Sequence, residues 1–295
     1  METTPPLFSI IIPTFNSERF IDRCLVSLIA QRSRCFEIIL HDAVSSDRTL
    51  EIINSYTKLH SFIHVFSMPD DGVYDAMNKS ILKANGSWLF FLGSDDFLID
   101  QNVMSQLEKR IEDNPNAQLI YGDVMNKSLG RKTGGRYGGE FDEVRILRQN
   151  ICHQGILYRR QLLEHEMYDL RYKIYADYAL NLRLMLDVNI AKVYVPIVIA
   201  NFTEGGLSHD PTRDLFFYKE FSTLVSKRAK VNFHLYRRKI KFLTTFFHKV
   251  NKLDGLMSSL RICKEDFNEF KRYAYPSFFF TSTRYFLGFY FLKKK

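Results

Sequence analysis

The chain has 295 residues, 46% of them hydrophobic and 25% charged, a balance typical of a globular protein and not of a disordered or fibrous one. Its four cysteines show neither a CxxC spacing nor a cluster with histidines, and its N-terminus has no secretory pattern, so we expect no zinc site, no disulfide framework and a reducing, cytosolic setting. The net charge of +8 is uneven, with 19 Lys/Arg against 6 Asp/Glu beyond residue 210 and 22 against 27 before it.

Strand and helix signals alternate through the front half of the chain. Short apolar runs predict strands at 8–12, 36–40, 62–66, 88–92, 119–124 and 155–158. Helical spacing predicts helices at 17–30, 46–56, 73–84, 103–111 and 175–186. Pro13 is expected to end the first strand, and Asn16 or Ser17 to cap the first helix. Strands separated by helices form βαβ units, so the expected fold class is α/β, a doubly wound and mainly parallel sheet flanked by helices.

Two segments do not follow this alternation. The glycines within 127–139 predict a mobile loop, which could serve as a lid. Residues 211–295 mix aromatic and basic side chains, and the longest apolar run, 277–292, is short for a membrane-spanning helix. We therefore expect a domain over 1–210 and a basic, aromatic, helical tail over 211–295.

The tail is expected to lie on an anionic membrane surface, which would make the protein peripheral at the inner face of the cell membrane. A basic helical pair packed on the first domain, or a dimer contact, is the alternative. Nucleic acid is not an expected partner, because no RRM, KH or helix-turn-helix signature accompanies the basic residues.

Two adjacent carboxylates, Asp95 and Asp96, follow the apolar run of the fourth predicted strand. Like charges packed together repel unless a cation or an array of donors compensates them, and a divalent metal that carries a diphosphate would do so. Ligands of open α/β sheets bind at the carboxyl ends of the strands. Three further polar loops stand at such ends: 13–16, the loop beginning at Asp42, and 69–79.

The order and content of these loops resemble the family 2 glycosyltransferases, which have the GT-A fold, and most closely those bacterial members that build surface polysaccharides. The resemblance covers roughly residues 7–210 and includes the pair His153-Gln154 and the segment 172–180. It implies an inverting, metal-dependent enzyme that moves a sugar from a nucleotide-sugar, a UDP-sugar first of all, to a hydroxyl of a saccharide or lipid-linked saccharide. The implied cofactor is Mn²⁺ or Mg²⁺, which oxygen ligands suit.

The resemblance also implies roles for individual residues. Asp96 would bind the metal, and Asp177 would take the proton from the acceptor hydroxyl. The implied substrate-binding residues are Pro13, Thr14, Asn16, Asp42, Asp71, Asn78, Asp95 and His153. His209 would reach the metal or the pyrophosphate in a closed state. This chain departs from the family pattern at three positions where acidic residues are common: Ala43, Ser94 and Ala179.

Structural alternatives remain for each of these residues. Asp42, Asp71 and the Asp95-Asp96 pair could cap turns or helices, and Asp177 could complement a helix dipole. His153 could be a structural histidine, and Lys79 an ordinary solvated lysine. Two functional alternatives remain as well: a polyprenyl-phosphate glycosyltransferase, whose acceptor is the lipid phosphate itself, and a catalytically silent nucleotide-binding scaffold protein.

Overall fold

The structure, a computed structural model, describes residues 5–126, 135–147, 149–202 and, further along, 214, 216, 217, 220, 221 and 224. Among these residues there is no helix with the length and apolar character needed to cross a bilayer. Most of the predicted tail over 211–295, including everything beyond residue 224, lies outside the described part of the chain, as does His209.

Strands and helices alternate through the first two thirds of the chain. The strands are β1 (Phe8–Thr14), β2 (Phe36–Asp42), β3 (Ile63–Ser67), β4 (Trp88–Phe91), β5 (Phe97–Leu98), β6 (Leu119–Asn126), β7 (Gly135–Tyr137), β8 (Ile156–Arg159) and β9 (Lys192–Phe202). The helices are α1 (Ile21–Ile29), α2 (Thr49–Thr57), α3 (Val73–Ile81), α4 (Val103–Asp113), α5 (Glu143–Ile146), α6 (Arg160–His165) and α7 (Ala176–Leu186), with one 3₁₀ turn at His153–Gly155.

The nine strands of the described residues form one sheet in the order β3-β2-β1-β4-β8-β6-β9-β5, with β7 paired to β6. β1 to β4 are mutually parallel, as predicted. β8 then lies antiparallel between β4 and β6, and β9 runs parallel to β6. The expected doubly wound parallel arrangement is thus confirmed in the first half, and the second half adds antiparallel strands.

Both faces of the sheet are covered, which explains why its central strands are continuously apolar. On one face, the side chains of α1 and α4 join Ile10, Ile38 and Phe90 in the hydrophobic core. α3 packs on β1 and β2 from the other face. This layering leaves the carboxyl ends of β1 to β4 at one open edge, where the polar loops begin.

The ends of two predicted elements differ from expectation. β1 continues through Pro13 to Thr14. At that level β4 has already ended, since Phe91 pairs with Ile11, so β1 has a neighbour on one side only and tolerates a residue without an N–H. Helix α1 begins at Ile21 and not at Ser17, and no side chain caps it.

The prediction of a mobile loop over 127–139 is wrong for residues 135–137, which form a strand, while 127–134 lie outside the described residues. Gly135–Tyr137 form β7, antiparallel to β6. Gly139 has a positive φ of 91° and donates its N–H to the buried carboxylate of Asp123. Asp123 also accepts from Arg136 Nε at 2.8 Å. The anchoring comes from a charge on β6 that the glycine pattern does not reveal.

Candidate active site

The loops after β1, β2 and β3 are joined through one buried carboxylate. Asp42 is fully buried and accepts hydrogen bonds from Thr14 Oγ1 and Ser67 Oγ, both at 3.2 Å. It also accepts from the backbone N–H and the hydroxyl of Ser45, at 2.9 and 2.5 Å. Asp42 therefore caps the turn that follows β2, as the structural alternative proposed, and it ties three strand ends together.

Asn16 joins the same loops from the exposed side. Its backbone has a φ of 48°, and its Oδ1 accepts from the N–H of Ser46 at 2.9 Å. The Ser17 hydroxyl lies 2.8 Å from that of Ser94, in the loop after β4. These side chains are occupied in joining loops, which is why neither of them caps α1.

The acidic pair after β4 lies in a tight turn. Asp96 is 2% exposed, and its Oδ2 accepts from the N–H of Gly93 at 3.2 Å and from Gln154 Nε2 at 2.6 Å. A Cβ on Gly93 would overlap Asp96 Oδ2 and lie 2.9 Å from Asp95 Oδ1. Arg23 donates to the backbone oxygen of Asp95 at 2.7 Å, which holds the turn from α1. Asp95 itself is partly exposed at the open edge.

Helix α3 carries the third predicted motif. It begins after Gly72 and has no side-chain cap, so Asp71 does not cap it. Asp71 is exposed. Asn78 makes two hydrogen bonds with one residue: its amide donates to the Tyr168 carbonyl at 2.9 Å and accepts from the Tyr168 N–H at 3.0 Å. Lys79 pairs with Asp75 at 2.8 Å. The contacts of Asn78 join α3 to the segment before α7.

Asp177 stands in the first turn of α7, and its side chain is 13% exposed. Its Oδ1 accepts from the Tyr74 hydroxyl at 2.9 Å and from the Tyr178 N–H at 2.8 Å, and its Oδ2 accepts from Asn150 Nδ2 at 2.8 Å. Burial raises the pKa of Asp177, and His153 and these hydrogen bonds oppose that rise. A carboxylate that is mostly desolvated yet held by neutral donors is a stronger base than one in water.

The 3₁₀ turn at His153–Gly155 brings the two acidic centres together. His153 Nδ1 lies 4.0 Å from Asp177 Oδ2, while the next residue, Gln154, donates to Asp96. Gln154 is itself oriented by the Cys152 thiol, 2.7 Å from its Oε1. Two consecutive side chains therefore connect Asp96, which follows β4, with Asp177 on α7.

Sequence reasoning missed several residues of this site. Tyr74 and Asn150 contact Asp177 from 103 and 27 positions away, and no local pattern marks either of them. Asp214 is buried and accepts from the N–H groups of Ile174 and Tyr175 at 3.0 Å each, directly before α7. The predicted boundary near residue 210 remains a prediction, but residues just beyond it contact the base of α7.

An aromatic cluster accompanies Asp214. The ring of Phe217 lies 5.0 Å from that of Tyr175 and 5.3 Å from that of Tyr178. Tyr172 contacts the same ring at 5.8 Å. The start of α7, and with it Asp177, is thus held by residues from the chain that follows β9.

Comparison with known proteins places this site in a family. A model described as "Glycosyl transferase family 2" matches residues 9–166. A "PGL/p-HBAD biosynthesis glycosyltransferase" of Mycobacterium bovis is 40% identical over 208 residues, which are 69% of this chain and 80% of the relative.

Solved structures share the fold at low identity. Staphylococcus aureus TarS residues 1–349, in complex with UDP-GlcNAc, matches with a TM-score of 0.64 and 20% identity over 82% of this chain and 72% of that one. The mannosyltransferase PcManGT of Pyrobaculum calidifontis, in complex with GDP-Man and Mn²⁺, matches with a TM-score of 0.58 and 13% identity over 90% and 80%. The GT-A fold implied by the loops is confirmed by these neighbours.

Proposed function

Because the chain belongs to glycosyl transferase family 2 and is therefore a glycosyltransferase, we propose that it moves a sugar from a UDP-sugar to a hydroxyl of a saccharide or lipid-linked saccharide, with inversion. The observation that carries the proposal is the turn at His153–Gly155, where Gln154 donates to Asp96 and the neighbouring His153 lies 4.0 Å from Asp177. A metal-binding carboxylate and a basic carboxylate on the same site are what a single displacement on a sugar requires.

The donor would lie across the loops that Asp42 joins. Since the Asp42 carboxylate is engaged by Thr14, Ser45 and Ser67, it would act on the nucleotide by ordering these loops, with Pro13 and Asn16 closest to the base and ribose. Asp71 would approach from the start of α3. A UDP-GlcNAc complex of a structural neighbour supports a UDP-sugar as the first donor to test.

The acidic turn fits a divalent cation that arrives with the diphosphate. Among the described residues no three His, Cys, Asp or Glu side chains converge as a metal site of their own. Asp95 and Asp96 follow β4 at the open edge of the sheet, and their carboxylate oxygens are suitable metal ligands. Mg²⁺ and Mn²⁺ are commonly held by one or two carboxylates plus substrate phosphates. When bound, such a cation would offset the charge that develops on the leaving diphosphate.

Asp177 would act on the acceptor. An acceptor hydroxyl placed against the face of the sugar opposite the diphosphate would give its proton to the Asp177 carboxylate as the new bond forms. The raised pKa of Asp177, caused first by burial, supports this role, because a stronger base accepts the proton more readily. His153 would lie beside the reacting hydroxyl and help to position it.

The cellular setting follows from the proposed acceptor. A relative whose name states a role in biosynthesis supports a product that is a surface polysaccharide or glycolipid. The basic residues of the tail over 211–295 would then hold the enzyme on the anionic inner face of the membrane, next to lipid-linked acceptors.

The test is a thermal-shift panel of nucleotide-sugars with and without Mn²⁺, followed by turnover of the best donor with wild-type protein and Asp177→Asn. We expect the variant to bind the donor normally and to lose transfer by roughly a hundredfold or more. Asp187→Asn, at the other end of α7, is the matched control and should keep its activity.

Near-normal transfer by Asp177→Asn to a polyprenyl phosphate would instead favour the lipid-phosphate acceptor, which ionises without a protein base. Absence of donor binding to the wild-type protein would contradict the donor assignment.

A further inference from the structure

Three side chains form a hydrogen-bonded line that ends on Asp177. The Tyr158 hydroxyl, on β8, donates to Asn181 Oδ1 at 2.7 Å. Asn181 Nδ2, on α7, donates to Asn150 Oδ1 at 2.8 Å, and Asn150 Nδ2 donates to Asp177 Oδ2 at 2.8 Å. Tyr158 and Asn181 are fully buried, so the first half of the line has no contact with solvent.

This line has one direction. Burial raises the pKa of Tyr158 far above its usual range, so the phenol keeps its proton and serves as a donor to Asn181. An amide that accepts on its oxygen presents its NH₂ group at the other end, and this fixes first Asn181 and then Asn150. If the Asn150 amide were reversed, its oxygen would face the Asp177 carboxylate, and its NH₂ group would face the NH₂ group of Asn181. Both hydrogen bonds of Asn150 would then be lost.

We propose that Asn150 is a positioning residue for Asp177: oriented from Tyr158 through Asn181, it keeps an N–H on Oδ2 and holds the carboxylate in its present rotamer. Oδ1 is held from the other side by Tyr74 and by the Tyr178 N–H. The proposal rests on the proposed role of Asp177 as the base. Nothing in the local sequence around Asn150 distinguishes it from a loop residue.

Several titratable groups also face Asp177, and the effect of Asn150 is expected on top of theirs. His153 Nδ1 lies 4.0 Å from Asp177 Oδ2, and His153 lowers the pKa of Asp177. Four other titratable groups interact with the Asp177 charge. They are Tyr74 on α3, Tyr158 on β8, Tyr168 in the segment before α7, and Cys152, the residue before the 3₁₀ turn. Burial raises the pKa of each of these four groups, so they keep their protons at pH 7. Four neighbours lower the pKa of Asp177: His153 first, then the Tyr74 hydroxyl, the Tyr178 N–H and the Asn150 amide.

The test is a pH titration of the Asp177 carboxyl by ¹³C NMR in full-length protein labelled with [γ-¹³C]aspartate, the Asp177 resonance being identified by its loss in Asp177→Asn. We expect Asn150→Ala to move the titration midpoint of Asp177 to higher pH, and Tyr158→Phe to move it in the same direction by less. Asn114→Ala, which removes an amide that bonds the Arg110 carbonyl at the end of α4, should leave it in place.

UDP release from UDP-GlcNAc in Mn²⁺ gives the second readout. For Asn150→Ala we expect kcat to fall roughly tenfold with KM unchanged, because donor contacts lie on other loops. If the titration midpoint of Asp177 in Asn150→Ala equals that in Asn114→Ala, the proposal is overturned. If Asn150→Ala does not fold, the same comparison is made with Tyr158→Phe. If Asp177→Asn retained full UDP release, the base assignment would fail by itself, whereas the NMR result would still report on the effect of Asn150.

Discussion

The hydroxyl of Tyr74 lies 2.9 Å from Oδ1 of Asp177 and 2.6 Å from the carbonyl oxygen of Ile174. Tyr74 belongs to α3, which follows the third polar loop, and Asp177 belongs to α7. The contact therefore connects the helix beside the proposed nucleotide site with the proposed base. Burial raises the pKa of Tyr74 well above its usual range, so its hydroxyl remains a donor at working pH.

Replacing Tyr74 by Phe keeps the ring and removes this donor. We expect the pKa of Asp177 to rise further, because one hydrogen bond to its ionised form is lost, and the acidic limb of the pH–rate profile to move to higher pH. The free energy of unfolding should fall by about 1 kcal/mol. Tyr56→Phe is the matched control, since it removes a 2.6 Å hydrogen bond to Asp22 on the surface. Identical pH profiles for the two variants would contradict this reading.

The raised pKa of Asp177 makes stability depend on pH in a defined direction. The folded protein binds this proton more tightly than the unfolded chain, so ionised Asp177 destabilises the fold above its raised pKa, and the penalty disappears below about pH 4. Asp177→Asn should therefore raise the melting temperature at pH 7.5, and this gain should shrink as the pH falls. Calorimetry between pH 4 and pH 8 measures it; a gain that is constant across this range would argue against a raised pKa.

Gly93 permits the turn that holds the acidic pair. In Gly93→Ala the new methyl group would push the Asp96 carboxylate from its present place, because Asp96 Oδ2 lies within its volume. We expect affinity for UDP in the presence of Mn²⁺ to fall roughly tenfold to a hundredfold, as displacements of about 1 Å do elsewhere. Calorimetric titration with UDP provides the measurement, and Ser87→Ala, just before β4, provides the control. Unchanged affinity would remove Asp96 from the metal assignment.

The ion pair between Asp123 and Arg136, which helps to anchor residues 135–139, joins one buried and one exposed side chain. Asp123 is fully buried, whereas the Arg136 side chain is 53% exposed. Arg136→Met leaves a buried carboxylate to which, among the described residues, Gly139 and Tyr194 still donate. We expect the change to lower the free energy of unfolding by about 2 kcal/mol, less than for a fully buried pair because solvent screens the guanidinium.

Denaturant unfolding measures that loss. Arg110→Met, which breaks an exposed pair with Asp113 at 3.5 Å, should change stability by less than about 0.5 kcal/mol. If both variants lost the same free energy of unfolding, the Asp123–Arg136 pair would contribute no more to stability than an exposed surface pair.

The basic tail gives a prediction about membranes. In full-length protein, replacing Arg237, Arg238, Lys239 and Lys241 by Gln should abolish most of the sedimentation with anionic vesicles, since each basic residue near such a surface contributes about 1 kcal/mol. UDP binding should be unaffected. Sedimentation that persists in the variant and does not depend on salt would contradict an electrostatic attachment.

Local sequence pattern was sufficient for the first half of the fold. The apolar runs of β1, β2 and β4 and the helical spacing of α1 and α3 depend on residues within one or two turns of each other, so they can be read without tertiary contacts. No strand is predicted from the sequence over the residues of β9, a segment that contains Pro196. The structure accommodates that proline in a bulge, where residues 195–197 face Gly122.

For the acidic residues at the strand ends, too, local sequence predicts position along the chain but not tertiary contacts. Their order along the chain was enough to identify the family and to place Asp42, Asp71 and Asp96 at one edge of the sheet, because parallel strands bring their carboxyl ends together. The sequence did not reveal that Asp42 would be fully buried and bonded to three loops. Burial is decided by packing from segments far away in the chain.

The acidic pair Asp95-Asp96 could be singled out from residue type and its position after an apolar run, and Asp177 from the resemblance of the segment 172–180 to the family. What they share could not: Gln154 reaches one of them, His153 and Asn150 reach the other, and Tyr74 arrives from a distant helix. Gln154 and His153 belong to the turn that leads into β8, which pairs antiparallel with β4 from more than sixty residues away in the chain. Pairing between such distant segments is decided by the packing of the whole sheet, so it leaves no periodic pattern in the local sequence.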